Sequence, residues 1–230
     1  MLDFAQFTWL SFDCYGTLID WESGILGYLR PLLEKNRCYL TDAEILTRYS
    51  EFEPREQSPP YRSYRAVLAS VVHDFARELG FEITADEAEG LGESIRNWEP
   101  FADTIAGLQR LRSGYQLAIL SNIDDDLFVF SAAKLSVTLD CVVTAQQVES
   151  YKPNLRNFEV LLQRTNVPRS KVLHVAESLY HDVAPARTLG IASVWVNRRQ
   201  NKDAAASKLV PAAPDLEVRD ILELAKIAGL

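Results

Sequence analysis

The stretch TWLSFDCYGTLIDW, Thr8–Trp21, starts as a buried strand and ends in an acid, a glycine turn and a hydroxyl. Thr8–Phe12 is apolar and aromatic and too short for a helix, so it predicts a strand covered on both faces. Asp13 stands at its carboxyl end, where a carboxylate seldom serves packing. Gly16 lets the backbone turn sharply beside a ligand, and Thr17 can donate a hydrogen bond that orients Asp13. If Asp13 is a nucleophile, the rest of the chain must supply a substrate clamp, a cation and a route that frees the product.

Similar runs recur along the chain. QLAIL (Gln116–Leu120), DCVVT (Asp140–Thr144), KVLHVA (Lys171–Ala176) and ASVWV (Ala192–Val196) all predict buried strands. Amphipathic stretches such as Asn154–Thr165 and His181–Leu189 lie between them. This alternation predicts an α/β, Rossmann-like parallel sheet with helices on both faces. From Trp21 to Trp98 the rhythm stops and only helical patterns remain. Tyr64, Val67, Leu68, Val71, Val72, Phe75 and Leu79 form one stripe at helical spacing, and Gly80 suits its end. EPREQSPPYR, Glu53–Arg62, is read as a proline-containing break between two helices. The expected organisation is a core of residues 1–20 and 99–230 with a helical cap, residues 21–98, inserted after the first strand. Asn197–Lys208 is expected to be a polar surface loop. Pro214–Leu230 is expected to give a short edge strand, or an extended segment, and a final helix.

The totals narrow the function. A net charge of -8 argues against broad binding to nucleic acid or to anionic membranes. Cys14, Cys38 and Cys141 have no metal-type spacing and read as reduced thiols in a cytoplasmic protein. The start MLDFAQFTWL has no charged n-region or long apolar core, so no signal peptide is expected. No apolar run is long enough to span a bilayer.

Ligands of open parallel sheets bind outside the carboxyl ends of the strands. Asp13 follows the first run there. Ser121 and Asn122 follow the second, Lys152 follows the third, and Glu177, Ser178 and Asp182 follow the fourth. Any one of these is ordinarily a solvated polar residue. Together they make a catalytic constellation.

DCYGTL, the run ending in SN, YKP, and ES with a downstream Asp resemble the four motifs of the haloacid dehalogenase superfamily, over nearly the whole chain. The helical insert matches that superfamily's cap. Its phosphatases carry a second Asp two residues after the nucleophile, as acid for an alkoxide leaving group, and here that position is Tyr15. A phenol is a poor proton donor at neutral pH, whereas a halide needs no proton. FDCYGTLIDW therefore most resembles the 2-haloacid dehalogenases, and ESLYHD with SNID is also similar to the azetidine-2-carboxylate hydrolases.

The resemblance implies a role for each residue. Asp13 attacks the α-carbon of a small carboxylate substrate, and water then cleaves the resulting ester to give a 2-hydroxy acid. Ser121 and Asn122 bind the substrate carboxylate. Lys152 keeps Asp13 ionised, and Asp182, completing the last motif with Ser178, holds Lys152 or positions the water. Glu177 pairs with Lys152, or with Asp182 it could hold Mg²⁺; the reading without a cofactor is preferred because Tyr15 brings no carboxylate. Arg48 or Arg55, with Arg62 and Arg65 behind them, is expected to receive the leaving group. Tyr15 is expected as a wall between core and cap. Trp21 and Trp98 flank the cap as pocket or hinge residues. Phe158 stands where the dehalogenase pattern has an aromatic hydroxyl. His174 reads as a core residue, His181 as a neighbour of the last motif and His73 as structural; a zinc site is not expected. The resemblance also implies a homodimer through the cap. Two further readings compete. A Mg²⁺-dependent small-molecule phosphatase is favoured by Glu177 and Asp182 and opposed by Tyr15. A binding protein that kept the fold has no need of Asp13.

Overall fold

The computed structural model describes residues 2–198 and 213–230. Its central strand is the opening run: β1 (Trp9–Phe12) has every residue buried. It pairs in parallel with β2 (Gln116–Ser121) on one side and β4 (Val172–Ala176) on the other. β3 (Cys141–Thr144), β5 (Ala192–Val196) and β6 (Leu216–Val218) complete a six-stranded parallel sheet of order β3-β2-β1-β4-β5-β6 among the described residues. All five expected runs are strands, and the tail supplies the edge strand. The ends shift slightly: Thr8, Asp140 and Lys171 fall outside the strands and Ser121 joins β2.

The sheet grows outward from β1 in two directions, first to β2 and β3, then to β4, β5 and β6. The strand order reverses beside β1, and the crevice at such a reversal is where an open α/β sheet takes its ligand. Asp13 follows β1 and Glu177 follows β4 at this point. The registers Phe12↔Ile119 and Phe12↔Val175 set Asp13, just past β1, beside the last residues of β2 and β4.

Between β1 and β2 lie α1 (Trp21–Lys35), α2 (Asp42–Glu56), α3 (Tyr64–Leu79), α4 (Ala85–Ser94) and α5 (Thr104–Arg112), with no strand. Thr41 and Thr84 close α2 and α4 with capping boxes. The α3 stripe is core as expected: Val67, Leu68, Val71, Val72 and Phe75 are fully buried. Gly80 ends α3 in a left-handed conformation, φ 74°, which glycine adopts without steric cost.

The proline break is shorter than expected. α2 runs through Pro54 to Glu56, so Glu53 is helical and the chain leaves the helix only at Gln57. Packing carries that last turn: Phe52 stacks edge-on against Phe75 of α3, ring centroids 5.1 Å apart, and Glu53 is buried beside it. Such contacts outweigh the one backbone hydrogen bond lost at proline.

After β2 come α6 (Asp125–Leu135), and after β3 α7 (Ala145–Val148) and α8 (Leu155–Thr165). The expected helix at His181–Leu189 begins earlier, as a π-turn over Leu179–Val183, then continues as α9 (Ala184–Thr188). The final helix is α10 (Ile221–Ile227). Of the expected surface loop Asn197–Lys208, only Asn197 and Arg198 are described. Asn197 is buried, and Arg198 lies over the Phe101 ring and pairs with Asp103. The rest of that segment lies outside the described residues. No helix among the described residues is long and apolar enough to cross a membrane.

One contact fixes how α1 meets the hinge. A Cβ on Gly24 would stand 2.5 Å from the Cγ, Cδ1 and Cδ2 atoms of the Trp98 indole. Gly24→Ala should therefore destabilise the protein by about 1–3 kcal/mol through overpacking. Urea denaturation checks this, and an unchanged midpoint would show that the indole moves freely.

Candidate active site

Burial sets the problem. Asp13, Lys152 and Asp182 are charged side chains with almost no exposure, and buried charges persist only when paired and hydrogen-bonded. Lys152 Nζ lies 2.9 Å from Asp13 Oδ1, 2.6 Å from Asp182 Oδ1 and 2.9 Å from the Leu120 carbonyl oxygen. An ammonium has three N–H donors, so all of them are engaged. The Asn122 side chain fixes the lysine's backbone: its Nδ2 donates to the Lys152 carbonyl (3.1 Å) and its Oδ1 accepts from the Lys152 N–H (2.7 Å).

Thr17 acts as expected. Its hydroxyl donates to Asp13 Oδ2 at 2.7 Å and accepts the Glu177 N–H at 2.9 Å, tying the first motif to the last. Trp195 Nε1 donates to the Glu177 carbonyl at 2.8 Å. Gly16 makes the turn with φ 90°. Ser178 caps the π-turn by accepting the His181 N–H at 3.0 Å. That turn aims Asp182 back at Lys152.

These groups line a small cavity, ≈ 40 Å³, between the strand ends and the helical insert. That is room for a few water-sized atoms. The core side carries Asp13, Ser121, Lys152, Glu177, Ser178 and Asp182, with Asn122 and His181 at the edge. Tyr15, Trp21, Glu53 and Tyr64 form the opposite wall. Ser121 Oγ is buried and has no hydrogen-bond partner among the described residues. Asp182 Oδ2 is in the same condition.

The domain-scale signal is the family. A model of haloacid dehalogenase-like hydrolases matches residues 8–190, spanning every residue of this cluster. The chain belongs to the haloacid dehalogenase-like hydrolases. Among curated relatives of this hydrolase, an (S)-2-haloacid dehalogenase of Pseudomonas sp. (strain YL) is 28% identical over 229 residues, covering 96% of this chain and 95% of the relative. The (S)-2-haloacid dehalogenase H-109 of Pseudomonas putida is 27% identical over 93% of this chain and 94% of its own length. An L-2-haloacid dehalogenase structure from Xanthobacter autotrophicus superposes with a TM-score of 0.81 at 19% identity, over 97% of this chain and 98% of that one; it shares the fold.

The hydrolase departs from the sequence reading at its cationic groups. Arg48 pairs with Glu78 at 2.8 Å, and Arg55 pairs with Asp74 and Glu56. Arg62 pairs with Glu56, and Arg65 with Glu93 and Asp126. Among the described residues, no arginine lines the cavity. Each guanidinium found a carboxylate on its own or a neighbouring helix, which removes it from the site. Asn122 is likewise turned to Lys152 rather than offered to a ligand. Glu177 lines the cavity but does not pair with Lys152, whose donors are all engaged. The ammonium of Lys152 stands between Asp13 and Asp182, and no cluster of three or more metal-ligating side chains is found among the described residues.

Three side chains gained a part that the sequence did not signal. His174 is a buried strand residue, as expected, but its Nε2 meets Asp182 Oδ1 at 2.9 Å and its Nδ1 meets Ser11 Oγ at 2.8 Å. A carboxylate only accepts, so Nε2 carries the hydrogen and steadies Asp182. Asp124 caps α3 across the cleft, accepting the N–H groups of Tyr64 (2.9 Å) and Arg65 (3.0 Å). Glu53, 4% exposed, faces the cavity from α2. Tyr15 packs edge-on against Trp98 and bonds Ser131 at 2.8 Å. Trp21 lines the cavity, Phe158 is fully buried against the His174 ring, and His73 is exposed.

The electrostatics follow from burial. It raises the Asp13 carboxyl, while Lys152 and Thr17 pull it back. It works against the Lys152 ammonium, but Asp13 and Asp182 outweigh it and the net shift is upward. Asp182 is held below its usual range because Lys152 and His174 overcome its desolvation. Burial pushes His181 down to about 4, leaving a neutral imidazole near pH 7. Burial likewise lifts the Tyr15 phenol well above its usual value.

Glu53 is raised from 4.5 to about 7, first by burial, against the pull of the Tyr64 and Tyr49 hydroxyls. Its folded pKa exceeds its unfolded one. The neutral acid therefore costs nothing below about pH 4.5, and stability falls as pH rises through about 7. Glu53→Gln should gain up to about 3 kcal/mol over the parent above pH 8 and nothing near pH 4. Chemical denaturation at the two pH values checks the sign, and a pH-independent difference would rule it out.

Proposed function

We propose that the protein hydrolyses small 2-substituted carboxylic acids at the α-carbon through an ester on Asp13. The observation that carries this reading is the state of Asp13: a buried carboxylate fixed by Lys152 and Thr17 at the strand end, with a neutral phenol, Tyr15, where phosphate-ester cleavage needs an acid. One Asp13 oxygen attacks the α-carbon, a C–O bond forms, and the bond to the leaving group breaks with its electron pair departing. Water then attacks the Asp13 carbonyl, releasing a 2-hydroxy acid and regenerating the carboxylate.

Each neighbour has work in that sequence. Ser121 Oγ, unpartnered in the cavity, donates to the substrate carboxylate. Lys152 favours the ionised nucleophile and offsets charge on the ester carbonyl. Asp182 Oδ2, unpartnered and beside Lys152, holds the hydrolytic water. Metal is given no part in this sequence. The relatives' name points to 2-halo acids of S configuration as the first compounds to assay, and a structure of the Xanthobacter autotrophicus enzyme has chloropropionic acid covalently bound.

Isotope placement tests the chemistry. One turnover in H₂¹⁸O with enzyme in excess should give unlabelled product and a mass gain in the peptide holding Asp13; labelled product in that first turnover would mean direct attack by water. Asp13→Asn should lower kcat by at least ~10³-fold. Activity should survive a chelator, whereas loss on chelation and return with Mg²⁺ would overturn the metal-free reading.

A further inference from the structure

Displacement at saturated carbon is in-line, so the leaving atom departs on the side opposite the nucleophile. Asp13 attacks from the strand end, which turns the leaving atom toward the wall of Tyr15, Trp21, Glu53 and Tyr64. The phenols of that wall have partners. Tyr15 Oη bonds Ser131 at 2.8 Å, and Tyr64 Oη donates to Glu53 Oε1 at 2.7 Å. Trp21 Nε1 lies toward the Gly16 turn, 3.0 Å from the place that a Cβ there would take. Among the described residues, Glu53 is the polar group of this wall left to meet the leaving atom.

Its setting is that of an acid. The side chain is almost wholly buried and lines the cavity. Tyr64 and Tyr49 both reach Oε1, at 2.7 and 3.4 Å, and their hydroxyls meet at 3.1 Å. The oxygen that accepts phenol hydrogens is the carbonyl one, so Oε2 is the hydroxyl of the neutral acid and has a hydrogen to give. A carboxyl kept neutral by burial can donate a hydrogen bond where an ionised one only accepts. Glu53 changes state at about 7. Its neighbours do not. Burial lifts the phenols of Tyr15, Tyr49 and Tyr64 well above their usual value. Lys152 is raised, Asp182 is held low and His181 falls to about 4. Asp13, itself raised, acts with the opposite sign, because ionising the nucleophile speeds attack as pH rises. Glu177 shares the cavity and is kept in both variants below, which separates its effect.

We propose that Glu53 is a further catalytic residue, its Oε2–H donating a hydrogen bond to the leaving halogen as the bond to the α-carbon breaks. The role rests on the aspartyl-ester reading above and deepens it. The Asp13 oxygen forms the C–O bond, and the halogen leaves with the electron pair as halide. No proton is transferred, because halides are weaker bases than a carboxylate. Glu53 keeps its hydrogen, and hydrolysis of the ester releases one proton to solvent. The hydrogen bond strengthens as charge builds on the halogen, so it favours the transition state over the bound substrate. It matters most for fluoride, the strongest acceptor and the poorest leaving group, and least for bromide. Ionisation of Glu53 removes this help. It also sets a negative charge near the substrate carboxylate, but that repulsion is felt alike whatever the halogen.

Halide release from 2-fluoro-, 2-chloro- and 2-bromopropionate, read as kcat/KM from about pH 5.5 to about pH 9, tests the assignment. This constant covers the steps through displacement, so slow ester hydrolysis does not mask it. The ratio of two halides in one preparation is also independent of how much of the protein is folded. In the parent the fluoride-to-bromide ratio should fall roughly 30-fold as pH rises through about 7, the scale of one hydrogen bond to a charged group, with chloride between. In Glu53→Gln, whose amide donates at every pH, the ratio should not change with pH. In Glu53→Leu it should stay at the parent's alkaline value throughout. A parent ratio that ignores pH, a pH dependence that survives Glu53→Gln, or bromide release without fluoride release at any pH overturns the assignment. Mass gain on the Asp13 peptide separates the two failures. A gain with 2-bromopropionate beside any of those results refutes the role of Glu53 and leaves the ester chemistry standing; no gain with any of the three compounds refutes the ester chemistry and the role with it.

Discussion

The ammonium of Lys152 is the point on which the site turns. It joins the end of β1 through Asp13, the end of β2 through the Leu120 carbonyl and the π-turn after β4 through Asp182. Removing it would leave two buried carboxylates facing each other without a counter-ion, a change that is strongly destabilising because uncompensated charge stays in low dielectric. The surrounding hydrogen bonds make sense as its support. Asn122 locks its backbone, His174 steadies Asp182, and Thr17 binds the far oxygen of Asp13. The pair geometry thus holds one Asp13 oxygen against a cation and the other against a hydroxyl.

Fixing the lysine so completely has a cost in versatility. A group with every donor engaged cannot also greet a negative leaving group. Among the described residues, the side chains that the helical insert brings to the cavity are acidic and aromatic: Glu53, Tyr64 and Trp21. Family membership and fold are shared with the haloacid dehalogenases, yet among the described residues the insert brings a carboxyl, Glu53, to the cavity rather than the arginines that the sequence suggested.

Strands were legible because burial on both faces of a parallel sheet demands unbroken apolar runs, and those runs stand out in any reading of the chain. Asp13, Thr17, Lys152 and Asp182 were legible because each follows such a run. Arginines Arg48 and Arg55 misled for a physical reason. Residue type shows that a cation exists, but its direction depends on whichever carboxylate the helix packing brings near, here Glu78 and Asp74. Glu53 was hidden inside a proline-bearing segment whose last helical turn is held by Phe52 against Phe75. The partnership of His174 with Asp182 spans β4 and the turn after it, and an apolar strand gives no hint that its one imidazole bonds an acid eight residues on. Asp124 precedes its own helix α6 but caps α3 across the cleft, a contact between distant segments that no local pattern announces.

That last arrangement couples two duties in four consecutive residues. Ser121 offers its hydroxyl to the cavity, while Asp124 fastens the roof above it. Only Asn122 and Ile123 separate the two, and Asn122 is itself fastened to the Lys152 backbone. An insertion between Ser121 and Asp124 would therefore disturb the cavity floor and the start of α3 together.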